Sequence, residues 1–269
     1  MLGSVLLKSI RDLGRGFLWW ALGLVGYAAL IVSVYPTVRD NPELDELVES
    51  YPEALKAFIA FGGQFDFTSA AGYLGSELFS FMMPAIFLVA SVGNGAGSIA
   101  GEEERGTLDL LLSMPLSRGR IALEKLAAMC LELVGLGAVL WLALWIGARA
   151  FSMDVSAGHL AAATALLVVL AIAYGAIAFM LAGGTGRKGL AVGVTVALAV
   201  AAYLVNSLAA LVGALEPFQK VTPFYHYAAS DPLHQGLDVW HTLFLLAVGA
   251  AAAAVGVLLF GRRDVGSSS

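Results

Sequence analysis

The segment GEEERGTLDLLLSMPLSRGR, residues 101–120, sets the arrangement of the whole chain, because it is the one strongly charged island between two long apolar runs. Thr107 can cap a short helix, Asp109 is favourable in its first turn, and Pro115 prevents the helix from continuing. Two helical turns measure about 11 Å, which is too short to cross a bilayer core of about 30 Å. The leucines are too apolar to be left in water. The sequence therefore predicts a short helix in a polar loop, with its apolar face covered.

Two interpretations of this short helix stay open from the residues alone: it lies on the lipid surface, or it docks a soluble partner. The run from Gly101 to Arg118, followed by Lys125, resembles the signature of the ABC-2 type permease family. These are membrane subunits of ATP-binding-cassette transporters, most of them exporters. The resemblance implies that the segment is a cytoplasmic coupling helix between the second and third spans, seated in a groove of a separate ATPase subunit.

Composition places the chain in a membrane. Hydrophobic residues make up 59% and charged residues 13% of the 269 residues, against about 45 to 50% and about 25% in soluble domains. No basic block with interleaved aromatic residues indicates nucleic-acid binding. We expect an all-α integral membrane protein whose six spans, taken together as residues 17–260, cover the apolar runs 17–35, 73–99, 121–148, 158–182, 190–212 and 239–260.

The distribution of Lys and Arg predicts the orientation of these spans. An even number of spans puts both termini on one side, and cytoplasmic loops carry an excess of basic residues. One side has four basic residues, namely Arg39, Lys56, Arg149 and Lys220. The other side has eleven: Lys8, Arg11, Arg15, Arg105, Arg118, Arg120, Lys125, Arg187, Lys188, Arg262 and Arg263. We therefore expect both termini and the 101–120 loop in the cytoplasm, with the chain in a bacterial or archaeal inner membrane.

The two ends of the chain are predicted to lie outside the spans. Residues 1–16 place apolar residues at helical spacing among Lys8, Arg11 and Arg15, which is typical of an amphipathic surface helix. A signal peptide is the alternative, but no small-x-small cleavage pattern follows. The resemblance implies an elbow helix at this position. Residues 261–269 are expected to form a cytoplasmic tail, and its VGSSS end resembles a cloning remnant.

The coupling-helix hypothesis assigns ATPase contacts to ten residues of the polar loop. We expect the glutamates to meet basic groups of the partner and the leucines to fill its groove. The residues are Glu102, Glu103, Glu104, Arg105, Gly106, Thr107, Leu108, Asp109, Leu111 and Leu112. The chain itself has no P-loop, because Arg187 stands in the glycine-rich loop 183–189 where the second glycine of that motif is required. ATP and Mg²⁺ are thus expected on the partner, and the resemblance implies a second permease chain, identical or related.

Polar residues inside the apolar runs are the remaining candidates. Glu132, deep in the third span, must face protein or water or be protonated, so it either packs by a hydrogen bond or lines a transport path with Asn206. The histidines near residues 226–241 do not match any zinc-ligand spacing, and no metal is expected. An intramembrane enzyme would need paired catalytic residues that are not visible in the spans. An ATP-independent channel or structural protein is the alternative function, and the sequence does not identify a cargo.

Overall fold

The computed structural model describes residues 5–39, 41, 50, 69–108, 116–209 and 211–263, and this part of the chain contains helices and turns but no strand. The long helices are α1 (Val5–Arg39), α3 (Met82–Glu104), α4 (Arg118–Ala150), α5 (Ala157–Thr185), α6 (Lys188–Ala209) and α10 (Val239–Arg262). Shorter helices are α2 (Ala70–Leu74), which a π-helical turn at Gly75–Phe79 joins to α3, α7 (Glu216–Gln219), α8 (Pro223–Ala228) and α9 (Pro232–Gln235).

Within the described part of the chain, six helical segments are long and apolar enough to cross a membrane, which confirms the predicted all-α fold. They are Gly16–Arg39, Ala70–Glu104, Arg118–Ala150, Ala157–Thr185, Lys188–Ala209 and Val239–Arg262. Each contains most of the corresponding predicted run. Most of the segments extend a few residues beyond the apolar run, because polar residues at the helix ends still continue the backbone hydrogen bonds.

The N-terminal segment differs from the expected separate elbow. Helix α1 runs without a break from Val5 to Arg39, so the basic residues of the predicted 1–16 helix form the first turns of the spanning helix itself. Gly14 and Gly16 stand near this point, but neither interrupts the helix, and no proline is present there. The backbone N–H of Leu6 donates to Glu124 Oε2 at 3.0 Å, which fixes this end of α1 against α4.

The second span is interrupted, whereas the sequence predicted one continuous run over 73–99. Pro84 has no N–H, and its ring is incompatible with a helical carbonyl at Ser80. The chain accordingly leaves the helical conformation at Phe81, with φ −138° and ψ −52°, before α3 begins. The break frees the carbonyl of Phe79, which accepts a hydrogen bond from the buried Tyr227 hydroxyl of α8 at 2.8 Å. This bond attaches the loop before α10 to the second span.

Helix α5 is the centre of the bundle. It is apolar on all sides, and a helix of that kind is stable only when other helices surround it. It packs against α3, α4, α6 and α10. The closest approach is to α3, where a Cβ built on Gly95 would lie 2.2 Å from the carbonyl oxygen of Gly175. Small residues at this crossing permit the contact between the two backbones, as is common between membrane helices.

Candidate functional site

One end of the helical bundle carries most of the basic residues, and we call it the charged end. The chain turns sharply there, directly after α3. Gly106 has φ +67°, a conformation that glycine adopts without steric cost. The turn brings Thr107 back to α3, so that its backbone N–H donates to the carbonyl of Glu102 at 2.9 Å. The Thr107 hydroxyl also donates to the Glu102 carboxylate. The start of the loop at 101–120 is therefore folded onto the last turn of α3.

Glu102 forms a buried ion pair with the third span. Its Oε1 lies 2.8 Å from Lys125 Nζ of α4, and the two side chains are only 7% and 8% exposed. The exposed guanidinium of Arg105 approaches the same oxygen at 3.6 Å. A carboxylate and an ammonium are both stable in such an environment only when they are paired, because each loses its hydration there. The pair thus fixes the end of α3 to the start of α4.

Glu103 joins the same turn to the last spanning helix. Its carboxylate pairs with the guanidinium of Arg263, the residue that caps α10. Arg263 Nη1 also donates to the carbonyls of Ala182 and Gly183 at the end of α5, both at 3.3 Å. Arg118 Nη1, at the start of α4, donates to the Arg263 carbonyl at 2.6 Å. Arg263, at the end of α10, therefore contacts the ends of α3 and α5 and the start of α4.

Glu104 connects the turn to the fifth span. Its Oε1 accepts a hydrogen bond of 3.1 Å from the backbone N–H of Lys188, the first residue of α6. A carboxylate is favourable at a helix N-terminus, where the first N–H groups have no partner within the helix. The three consecutive glutamates thus contact three different spanning helices: α4 through Glu102, α10 through Glu103 and α6 through Glu104. We call these residues the acidic triplet.

This arrangement changes the sequence-based expectation for the loop. Glu102 is buried with Lys125, Glu103 is half-buried with Arg263, and Glu104 is exposed and accepts one backbone hydrogen bond, so of the three only Glu102 is withdrawn from contact with another subunit. Leu108 is 3% exposed and belongs to the core of the chain, rather than to a free surface. Arg105 and Gly106 are exposed. The predicted contact residues Asp109, Leu111 and Leu112 lie outside the described residues.

The internal partners of the acidic triplet were not recognised from the sequence. Lys125 was noted only as part of the family signature, and the contacts of Lys188 and Arg263 were not foreseen. Helical spacing gave no signal for these pairs, since the partners lie far away along the chain. The available signal was chemical: a lysine seven residues inside an apolar helix requires a carboxylate nearby.

A polar cavity of about 250 Å³ opens beside the acidic triplet. Asp12 of α1, Arg105 and Lys188 contribute charged groups to its wall, together with the Glu102–Lys125 pair. Ser9 also lines it, and the Ser9 hydroxyl is buried with no hydrogen-bond partner among the described residues. A cavity with this lining has enough polar partners to hold ordered water. It extends from the charged end to Asn94, deeper in α3.

Glu132 lies beyond this cavity, in the interior of the third span. Its Oε2 accepts a hydrogen bond of 2.5 Å from the Asn94 side chain, and the residue is 7% exposed. The sequence left open a packing hydrogen bond or a transport path shared with Asn206; the structure shows a hydrogen bond to Asn94 of the second span, and the path stays a prediction. Asn206 lies on α6, which packs on α3 and α5. Asn94 gives no signal of this role in the sequence, because it stands in the glycine-rich run GNGAG, where small residues are typical of close helix packing.

The histidines form a small network at the opposite end of the bundle. His226 Nε2 donates to the carbonyl of Lys220 at 2.9 Å, so its Nδ1 is the acceptor in the neutral ring. His241 Nδ1, 2.9 Å away, must then be the donor. Burial, helped by His241, lowers the pKa of His226 below its ordinary value of 6.5, which favours this neutral form. Within the described residues no three His, Cys, Asp or Glu side chains are grouped as a metal site would require.

Comparison with known proteins places this fold in a family. The helices and their hydropathy define a multi-pass α-helical membrane protein. A family model described as "Multidrug efflux system permease Rv1217c, C-terminal domain" matches residues 9–261, which is nearly the whole chain. The chain belongs to this family of permeases.

Two relatives extend the comparison. Both are named "Probable ABC transporter permease protein NosY", one from Stutzerimonas stutzeri and one from Pseudomonas aeruginosa. They are 42% and 41% identical to this chain over 90 residues, a segment that makes up 33% of this chain and 29% of each relative. The chain thus matches less than a third of the length of these relatives. The matches confirm the expected resemblance to ABC transporter permeases, and the ABC-2 type stays a prediction.

Proposed function

We propose that the chain is the membrane subunit of an ABC-2 type exporter, which moves its cargo across the cytoplasmic membrane with energy from a separate ATPase. The observation that carries this proposal is the acidic triplet. The family match to an efflux permease supports export, and the excess of basic residues at the charged end supports a cytoplasmic location for the loop and both termini. In this proposal ATP and Mg²⁺ bind to the partner alone.

The acidic triplet suits the task of transmitting movement. Asp109, Leu111 and Leu112, which follow it, are among the residues expected to bind the ATPase, and the triplet connects the start of this loop to α4, α6 and α10. A displacement of the loop would therefore act directly on three spanning helices. Such coupling through hydrogen bonds and ion pairs requires that the helices have two arrangements. It also requires that ATP bind the ATPase more tightly in one of them.

The internal pairing of the glutamates refines the proposed docking surface. Because Glu102 is buried in a pair within the chain, we assign most of the contact with the ATPase to the leucine-rich stretch after Leu108, and Glu103 and Glu104 stay predicted contacts. Leu111 and Leu112 would supply apolar contacts, and Asp109 or Arg105 would supply charged contacts at the rim. The complex would contain two ATPases and two permease chains, identical or related.

The cargo path is the second part of the proposal. The polar cavity at the charged end leads toward Asn94 and Glu132, and we assign these residues, with Asn206 further along α6, to the path. An apolar groove of about 450 Å³ lies between α3 and α6, lined by residues such as Phe81, Leu88 and Tyr203. A groove of this composition suits an apolar or amphiphilic cargo, because little polar surface is available to replace the hydration of a highly charged one.

A co-purification experiment tests the proposal. The chain is isolated from solubilised native membranes, its partners are identified by mass spectrometry, and ATPase activity is measured on the eluate. We expect a soluble protein with Walker motifs to co-purify, and we expect Leu111→Asp to abolish both its recovery and the ATPase activity without reducing membrane insertion. The same substitution at another exposed leucine is not a suitable control. Leu123, for example, is 58% exposed but lies on α4, where an aspartate would disturb the span. The matched control is Arg187→Asp, an exposed residue of the other loop at this end.

One result would contradict the proposed function, and another would contradict only the docking role of the loop. Recovery of the chain alone or as a plain oligomer, without any ATPase, would favour the channel or structural alternative. Normal recovery and activity with Leu111→Asp would remove the docking role of the loop while leaving the permease assignment in place.

A further inference from the structure

A second groove, distinct from the polar cavity, lies between α1 and α4. Its volume is about 290 Å³, and the described residues of its wall are apolar apart from Glu132, which carries a carboxyl group. Ile10, Phe17 and Leu131 contribute the apolar side chains. The two helices run side by side here in the same direction, since Leu6 contacts Glu124 and Phe17 lies next to Gly135. The groove thus follows the seam between the first and third spans.

Two glycines create the space. Gly14 and Gly135 both line the groove, and neither has a side chain to fill it. A Cβ built on Gly14 would meet no atom within 4 Å, which shows that the space beside this residue is open. A Cβ on Gly135 would lie 3.0 Å from the Phe17 ring, so the ring closes one end of the groove. Ile10 and Phe17 are seven positions apart along the helix, which gives the groove a length of about 10 Å.

The carboxyl group in this groove has no oppositely charged partner among the side chains that the structure describes. Glu132 is 7% exposed, and among the described residues its hydrogen-bond partner is the neutral amide of Asn94, which binds Oε2. No described residue donates to Oε1, and no described cation forms an ion pair with Glu132. The nearest lysine along α4, Lys125, is engaged with Glu102 and lies seven residues, or about 10 Å, away. A buried carboxylate without a cation is unfavourable, and a bound cation would reduce that cost.

We infer that this groove binds an amphiphilic cation, with its ammonium group at Glu132 and its hydrocarbon chain along Ile10, Phe17 and Leu131. The buried carboxyl group matches the ammonium group of such a molecule, and the apolar wall matches its hydrocarbon chain. A neutral amphiphile would leave the carboxylate unpaired, and an anionic one would be repelled. That this ligand is a cargo rests on the proposed export function, whereas the binding site itself does not depend on it.

Binding of a labelled amine tests the inference on the permease chain alone, in lipid nanodiscs and without an ATPase. The probe is tritiated decylamine, which is cationic at pH 7, and empty nanodiscs correct for its partition into lipid. The matched competitor is 1-decanol, which has the same chain and a neutral head group. We expect saturable decylamine binding that unlabelled decylamine displaces and that 1-decanol displaces at least tenfold less effectively.

Two pairs of variants locate the site. Glu132→Gln keeps the shape of the side chain and removes its charge, and we expect it to weaken decylamine binding at least tenfold. Glu77→Gln, which neutralises an exposed carboxyl group of the second span, is its control and should leave the affinity unchanged. Gly14→Leu fills the groove and should weaken binding to a similar extent. Its control is Gly23→Leu in the same helix, where an added Cβ also meets no atom within 4 Å.

Three results would overturn the inference: no saturable binding of decylamine, equal displacement by 1-decanol, or wild-type affinity in both Glu132→Gln and Gly14→Leu. The thermal unfolding of each variant is measured in parallel, so that a loss of binding is compared only between folded proteins. Since the ATPase is absent from this experiment, its failure would leave the co-purification test of the proposed function unaffected. Conversely, a chain that recruits no ATPase could still bind decylamine.

Discussion

The buried pair between Glu102 and Lys125 gives the sharpest prediction about the charged end. Lys125→Met removes the ammonium but keeps an unbranched apolar side chain of similar length, so Glu102 is left buried without its main partner. Breaking a buried pair in this way costs about 3 to 5 kcal/mol. We take the lower end, about 3 kcal/mol, because Arg105 at 3.6 Å and the Thr107 hydroxyl still contact the carboxylate.

Thermal unfolding of the detergent-solubilised chain measures this cost. A loss of 1 kcal/mol lowers the unfolding temperature of a chain of this size by about 2 to 4 °C, so we expect a decrease of about 6 to 12 °C for Lys125→Met. The double variant Glu102→Leu/Lys125→Met should recover most of the decrease, because two apolar side chains can replace a buried pair at little cost. Lys188→Met, at a half-buried lysine without an ion-pair partner among the described residues, is the control. An unfolding temperature for Lys125→Met within about 2 °C of wild type would refute the argument.

Two further predictions concern the opposite end of the bundle. Tyr227→Phe removes the hydroxyl that donates to the Phe79 carbonyl and leaves this buried acceptor unsatisfied. We therefore expect the free energy of unfolding to fall by about 1 to 3 kcal/mol. Tyr225→Phe is the control, and equal stability of the two variants would argue against the hydrogen bond. Burial lowers the pKa of His226, so its contribution to stability is present above the ordinary pKa of 6.5 and is lost as the pH falls below that value. We therefore expect the unfolding temperature of the wild type to fall between pH 7.5 and pH 5.5, and that of His226→Gln to fall less. An identical decrease in both proteins would exclude His226 as the cause.

The membrane fold was predictable because the bilayer imposes a simple requirement on the sequence. Runs of about 20 apolar residues can only be spanning helices, and six such runs are visible without any tertiary information. The interruption of the second span was also present in the sequence, at Pro84, but hydropathy gave no reason to place a break there rather than a bend. The continuity of α1 was not predicted, since an amphipathic beginning and a spanning continuation are equally compatible with one helix or two.

The partners of the charged residues were not predictable in the same way. The sequence showed three consecutive glutamates in a polar loop, and the simplest interpretation was a surface for another protein. In the structure the three side chains diverge from one helical turn and contact α4, α6 and α10, whose ends meet there only after the bundle has formed. Glu132 shows the same limitation, because its need for a partner was evident, but its pairing with Asn94 depends on which helices are neighbours.

The sequence by itself determined that the chain spans a membrane six times, where its polar loops fall and which family it resembles. These properties depend on hydropathy, length and local motifs, which act over one helix or one loop at a time. Only the tertiary structure decided that the acidic triplet is an internal connection, that Gly14 and Gly135 leave an open groove, and that Glu132 lies in it without a cation among the described side chains. Each of these depends on contacts between helices that are distant along the chain, and their register is set by packing around α5.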